Sequence, residues 1–379
     1  MPNDSIGDMP TSTPSTAPRS TLSNSFQTAQ SGLKLWATFF RAALRTWSLR
    51  MMSWSVPPIF AAVGLVSGLL MASPALAVEC AAPTPAALEA LGAAYFDAFN
   101  EGDVGALDAI LAENYNQPQG AIMSQGRDLH LERLQAVRTG FPDGVYTIDW
   151  MFSDGDTVVI RNTFRGTHQG EFAGVPASGN KVAVGAFHVH RVECGKIAET
   201  WNAGDALSLF QQMGALDLKV STVPDEEPAP APDPMAAECS QSTPEENKAA
   251  ARRWYDEALN QRKIEVLDEI VWPEMVHHAG LFPDAVGVEA VKGSLTPLSA
   301  TFPDIQFSVD AMLASGDRVL VRWTGKGTHT GSEFLGVPTS GKPVEWSGMN
   351  AFRFACGKVI EGWSEANGLA LLRQLGGFK

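Results

Sequence analysis

Cysteine is scarce in this chain: four occur among 379 residues, with no C-x-x-C pair and no Cys/His cluster. That spacing speaks against metal ligation by the cysteines. Basic residues are also few, with 28 Lys and Arg facing 42 Asp and Glu for a formal net charge of −14. A body this acidic does not attract nucleic acid or anionic lipid through its general field, so nucleic acid is not an expected partner. Long apolar runs are missing as well. The one candidate, Ile59 to Met71, is too short to span a bilayer comfortably. It follows Arg41, Arg45 and Arg50 and precedes Ser73-Pro74-Ala75-Leu76-Ala77. That is the order of a signal for secretion or delivery to the periplasm, cleaved after Ala77. The alternative is an uncleaved membrane anchor, the one case in which a membrane partner is expected.

What the chain does contain, it contains twice. Gly166-Thr167-His168-Gln169-Gly170 returns as Gly327-Thr328-His329-Thr330-Gly331, Phe141-Pro142-Asp143 as Phe302-Pro303-Asp304, and Gly155-Asp156 as Gly316-Asp317. The offset is 161 residues (329 − 168) and becomes 162 after one insertion near Ser332, so that Cys194 matches Cys356 and Trp201 matches Trp363. A composition with 45% hydrophobic residues fills two ordinary cores. Expected units are a disordered N-terminus with its signal at 1–77, a first domain at 78–216, a linker at 217–238 and a second domain at 239–379. The linker, acidic and proline-rich from Pro224 to Pro234, reads as an extended, semi-rigid tether.

Export and duplication together bear on the cysteines. Of the three pairings open to four cysteines, duplication favours the one that repeats within each domain, Cys80 with Cys194 and Cys239 with Cys356. A clip across such a loop stabilises by about 4 to 5 kcal/mol in the chain-entropy model.

Within each copy, helical signals come first and strand signals after. Thr84-Pro85 and Thr243-Pro244-Glu245-Glu246 place a capping hydroxyl and a first-turn proline before amphipathic runs. Short helices follow at Val104 to Leu111 and Ile264 to Val271, and third helices at Arg127 to Thr139 and Val288 to Ala300. Four alternating segments then predict antiparallel strands, in the first copy Val145 to Phe152, Thr157 to Arg165, Lys181 to Val192 and Lys196 to Trp201. Closing helices are expected at Ala206 to Met213 and Gly368 to Leu375. The fold class is α+β, a curved sheet wrapped around helices.

The ordered series F-P-D, G-D-x-V-x-x-R, G-T-H-x-G, G-V-P-x-S-G, C-G-K-I-x-E-x-W and L-x-x-Q-x-G resembles the SnoaL-like polyketide cyclase, or ester cyclase, family. The resemblance implies two tandem cone-shaped α+β barrels of the nuclear transport factor 2-like superfamily, each a curved antiparallel sheet around N-terminal helices. It further implies aldol-type ring closure without metal or organic cofactor. The family's catalytic acid, four residues after the motif tryptophan, falls on Asp205 in the first copy and Asn367 in the second. Its pocket histidine falls on His168 and His329. Such chemistry needs a base for a proton next to a carbonyl and a donor for the enolate oxygen, which a desolvated carboxylate and a neutral imidazole supply. An amide cannot take the proton, so the second copy is expected to be silent. For Asp205 a second reading stays open, because Asp and Asn are equally good helix caps.

Gln117 and His277, at matching positions, are candidates to line the cone mouth or to pack in the core. His188 is a further candidate contact, and Phe172 and Phe334 are candidate apolar walls. His188 and His190 share a strand face, but Asn350 and Phe352 replace them in the second copy and no third ligand is evident, so no metal site is expected. Arg161 and Arg322 recur inside a strand, on the face opposite His168 and His329, as expected of structural ion pairs. Three classes of function remain open. They are an exported enzyme acting on a small apolar carbonyl compound in domain 1, a non-catalytic small-ligand-binding protein, and an assembly module. Partners beyond the ligand are the other copy within the chain or a homodimer mate.

Overall fold

A computed structural model of the chain describes residues 80–119, 126–218, 241–280 and 282–377. The segment 1–77, Cys239 and all but the first two residues of the linker lie outside the described residues. Among the described residues no helix is long and apolar enough to cross a membrane.

Thr84 starts the first helix, α1 (Pro85–Glu101): its hydroxyl accepts the Ala87 N–H at 3.2 Å, and Pro85 takes the first helical position, where no N–H is needed. Next come α2 (Val104–Ile110), β1 (Leu111–Gln119), α3 (Arg127–Gly140), β2 (Val145–Asp154), β3 (Thr157–Thr167), β4 (Lys181–Glu193), β5 (Lys196–Gly204) and α4 (Ala206–Gln212). The sheet runs β1-β5-β4-β3-β2, antiparallel except where β1 lies parallel to β5.

The second repeat opens on α5 (Pro244–Arg253), whose Thr243 and Glu246 form a reciprocal capping box. A π-helical turn (Trp254–Asn260) continues it, and a 3₁₀ turn (Ile264–Val266) leads into α6 (Leu267–Ile270). Then follow β6 (Val271–Ala279), β7 (Phe282–Val286), α7 (Val288–Thr301), β8 (Gln306–Ser315), β9 (Arg318–Thr328), β10 (Pro343–Ala355), β11 (Lys358–Ala366) and α8 (Gly368–Leu375). The order is β7-β6-β11-β10-β9-β8, and both sheets are open. The α+β architecture is the expected one, with a correction to the strand count. β1 joins the first sheet, and β6 and β7 join the second. β1 is apolar only at Leu111, Ala112 and Tyr115 and carries Pro118, so no regular alternation marks it; as an edge strand it tolerates a residue with no N–H.

Cys80 and Cys194 are disulfide-bonded, which ties the start of the first repeat to the β4–β5 hairpin. Cys194 and Gly195 both adopt positive φ, 52° and 74°, as a two-residue hairpin turn requires. Cys356 is disulfide-bonded as well.

Alternation sorts the two faces of each sheet. In the first repeat Val158, Ile160, Asn162 and Phe164 of β3, with His188 and His190 of β4, face the cone interior, where α1 contributes Leu88, Tyr95, Phe96 and Phe99. The intervening Val159, Phe187 and Val189 face outward. They share one buried cluster with Leu320, Met349 and Ala351 of the second repeat. Trp150 meets Trp363 there at 5.4 Å between ring centres, and the Arg322 guanidinium lies 4.4 Å above the Trp201 ring. At one end Leu207 and Phe210 of α4 and Leu369 and Leu372 of α8 belong to a further common cluster.

Candidate functional site

The first cone holds a cavity of about 80 Å³ between α3, the sheet and α4. Phe141, Phe164, Phe172, Val137 and Leu209 form its apolar walls, and its polar lining comes from Arg133, Asn162, His188, Asn202 and Asp205. An 80 Å³ space takes only a few heavy atoms; a cavity that holds benzene is about 150 Å³. The cavity is therefore smaller than a whole ring compound.

Asp205 caps a helix and also stands at the cavity. Its Oδ1 accepts the Ser208 N–H at 2.9 Å and its Oδ2 accepts the Ser208 hydroxyl, so it caps α4. The same carboxylate stands on the cavity wall, 9% exposed. Burial raises its pKa, against the Ser208 hydrogen bonds and the nearby Arg161 charge, which pull it down. Asn367 makes the corresponding cap on α8, where its Oδ1 accepts the Ala370 N–H at 3.4 Å.

Around the cavity lies a group of buried imidazoles. His188 Nδ1 is 2.8 Å from Asn162 Oδ1, and its Nε2 is 3.1 Å from Asn202 Nδ2. His130 bridges Tyr95 OH at 2.9 Å and Gln117 Oε1 at 3.0 Å, and His190 Nδ1 contacts Thr200 Oγ1 at 2.8 Å. Burial, reinforced by the Arg133 charge and by His190, pushes His130 down to about 3. Burial alone takes His190 to about 3. For His188 burial again dominates, with the neighbouring histidines and Arg133 adding to it. Burial thus favours the neutral form of all three rings, which act here as hydrogen-bonding groups toward their protein partners.

Not every candidate residue converges on this cavity. Asp205, His188 and Phe172 line it, and Gln117 sits one layer behind, on His130. His168 does not line it: the ring packs 5.3 Å from Phe141 with Nδ1 on Ser178 Oγ at 3.1 Å, pinning the loop before β4. His329 does the same in the second repeat, with Ser340 Oγ and the Ser332 carbonyl as partners. His277 Nε2 meets Ser364 Oγ at 2.7 Å, and Phe334 packs against Phe302. Arg133, Asn162 and Asn202 belong to the site and to none of the motifs. Arg133 showed one signal, since its counterpart in the repeat is Ser294.

The second cone is packed with aromatic side chains. Trp323 stands where the first repeat has Asn162, and Trp346 where it has Val184. Both are buried, with ring centres 6.3 Å apart. Trp323 Nε1 and Tyr255 OH both donate to Asn350 Oδ1, the latter at 2.8 Å.

Cones of this kind, one of them with a carboxylate on the wall of a small interior cavity, make a small-ligand-binding fold. The model of the SnoaL-like polyketide cyclase family matches residues 89–213 and 249–375, and the chain belongs to that family. Among solved structures it is similar to TsrD from Streptomyces laurentii, at 31% identity over 35% of this chain and 99% of that one, with a TM-score of 0.34. It is also similar to AclR, a putative hydroxylase from Streptomyces galilaeus, at 30% identity over 36% and 100%, with a TM-score of 0.33. IdmH, a putative polyketide cyclase from Streptomyces antibioticus, is 29% identical over 34% and 98%, with a TM-score of 0.31. No curated protein matches the chain.

Proposed function

We propose that the first repeat is an exported, cofactor-independent acid/base catalyst acting on a small apolar carbonyl compound, with Asp205 as the base, and that the second repeat is not catalytic. The observation that carries this reading is the asymmetry of one position. A buried carboxylate faces a cavity in the first repeat, whereas the second has an amide cap and a cone filled by Trp323 and Trp346. Desolvation makes Asp205 a stronger base than a free carboxylate, and the cavity's apolar walls bring a carbonyl compound to it. Asp205 takes a proton from the carbon next to the carbonyl. The resulting enolate carbon attacks a second carbonyl of the same molecule, and the new alkoxide takes a proton back.

The donor role that the resemblance implies for His168 fits Arg133 and Asn162 better, because both face the cavity and the Asn162 amide N–H has no partner among the described residues, whereas His188 and Asn202 spend their donors on Asn162, Phe187 and each other. The Cys80–Cys194 disulfide supports an oxidising compartment, and so export. Export also favours a second reading, a carrier that binds the same class of compound without converting it.

The two are separated by proton exchange. Mature protein incubated in heavy water with simple 1,3-dicarbonyl compounds is expected to speed exchange of the carbon-bound proton, read by NMR. Asp205→Asn is expected to lose that acceleration about 100-fold or more while still binding the compound. Binding without exchange by the unmodified protein would establish the carrier.

A further inference from the structure

The back of Asp205 is closed by the other repeat. Gly280, at the end of β6, has φ 47°, and a Cβ on it would stand 2.8 Å from Asp205 Oδ2 and 3.1 Å from Glu365 Oε2. The two carboxyl oxygens thus converge on the space above one glycine, from different repeats. Glu365, on β11, is 3% exposed. Its Oε1 is 3.2 Å from Arg161 Nη1, while its Oε2 is buried with no hydrogen-bond partner. A buried carboxyl oxygen without a partner is costly, and a proton placed between it and a neighbouring carboxylate relieves that cost.

The first repeat is shaped for this contact. Arg161 reaches Glu365 by lying across β4 at Gly185, where a Cβ would stand 2.2 Å from its guanidinium nitrogens. The second repeat has Ser347 at that position, and the residue matching Glu365 in the first repeat is Ala203. The contact is therefore built once, on the side of the repeat that carries the carboxylate and the cavity.

We infer that Glu365 is the proton partner of Asp205, so that the second repeat completes the first repeat's site by holding a proton against the back of its carboxylate. The inference rests on the reading of Asp205 as the acid/base group. Glu365 is a positioning residue in this scheme: it stays a carboxylic acid while Asp205 is ionised, and its O–H donates toward Asp205 Oδ2 over Gly280. The charged groups facing it are Arg161, Asp205 and Asp149. Burial is the largest influence and raises its pKa, Arg161 opposes, and Asp205 and Asp149 add to the rise, to about 8. The second repeat, without a base of its own, then has a chemical reason to be where it is.

The test is a carboxyl titration by carbon NMR on the full mature chain with labelled Asp and Glu, comparing the unmodified protein with Glu365→Gln and Asp205→Asn. Both changes are isosteric, and Asn already caps the matching helix as Asn367. The expected result is mutual. Asp205→Asn lowers the Glu365 midpoint by roughly one pH unit, and Glu365→Gln moves the Asp205 curve by a similar amount. If each curve is unmoved by loss of the other group, the pair shares no proton and the inference falls. Substrate is not needed, so the outcome is independent of the proton-exchange assay. Uncoupled curves with Asp205-dependent exchange remove Glu365 alone, and coupled curves without exchange leave the pair in place and remove the catalytic reading.

Discussion

One side chain, Asp205, both ends a strand and opens a helix, and its value to stability differs from its value to chemistry. As a cap it satisfies the Ser208 N–H, which Asn does equally well. Asp205→Asn is therefore expected to leave stability within about 0.5 kcal/mol, whereas Asp205→Ala loses about 1 kcal/mol. Urea unfolding of the two variants measures the difference, and equal losses in both would mean that the cap contributes nothing. At this scale the sequence was only partly legible. Counting four residues past Trp201 reaches Asp205 because the β5-to-α4 turn has fixed length. The neighbours that set its environment, Arg133, Asn162, His188 and Asn202, come from α3, β3, β4 and β5, and their convergence depends on sheet curvature that no short spacing encodes. His168 failed for a local reason: β3 ends at Thr167, so the alternation that places Asn162 and Phe164 inside no longer governs residue 168.

Elements carry the difference between an open cone and a filled one, and they do so rung by rung. Asn162 of β3 faces Ala186 of β4, and the matching rung of the second repeat is Trp323 opposite Gly348. A Cβ on Gly348 would stand 2.3 Å from the Trp323 ring, so the large residue requires the small one across from it. Copying that rung into the first repeat with Asn162→Trp and Ala186→Gly is expected to fill the cavity. Ligand binding should be lost with the far-ultraviolet spectrum unchanged, at a cost of about 1 to 3 kcal/mol for imperfect packing. Retained binding in a folded double variant would show that the ligand sits elsewhere. Helices with capping signals and strands with clean alternation were readable in advance because local preference and burial agree in them. β1, β6 and β7 were not, since the apolar residues of β1, Leu111, Ala112 and Tyr115, do not alternate and the other two hold Pro273, Pro283 and adjacent histidines; tertiary pairing decides these strands.

At the scale of the whole molecule, the buried titratable groups fall into two sets with opposite responses to pH. His130, His188, His190 and His277 have folded pKa values below their ordinary 6.5, with burial the main cause in each; His277 is lowered to about 4, with the neighbouring His278 charge adding to the effect. The unfolded chain binds more protons than the folded one below 6.5 at these sites, so their contribution is complete above 6.5 and declines as the pH falls. Glu365, raised to about 8, does the reverse: its contribution is complete below its ordinary 4.5 and is lost as the pH rises through 8. His278 joins it. Burial alone would lower its pKa, but Asp284 at 2.9 Å and Glu361 at 3.3 Å outweigh burial and raise it to about 9, so its contribution is lost between 6.5 and 9. Between 4.5 and 6.5 four imidazoles outnumber the two buried carboxyls whose pKa burial raises, Glu365 and Asp205, and stability rises with pH; above 6.5 Glu365 and His278 both withdraw, and it falls. The unfolding temperature is therefore expected to peak near pH 6.5, and Glu365→Gln is expected to flatten the alkaline side and to steepen the acid side above pH 4.5, where the carboxyl no longer opposes the imidazoles. A calorimetric series across that range checks both limbs, and an alkaline limb that persists undiminished in Glu365→Gln would assign it to His278 alone.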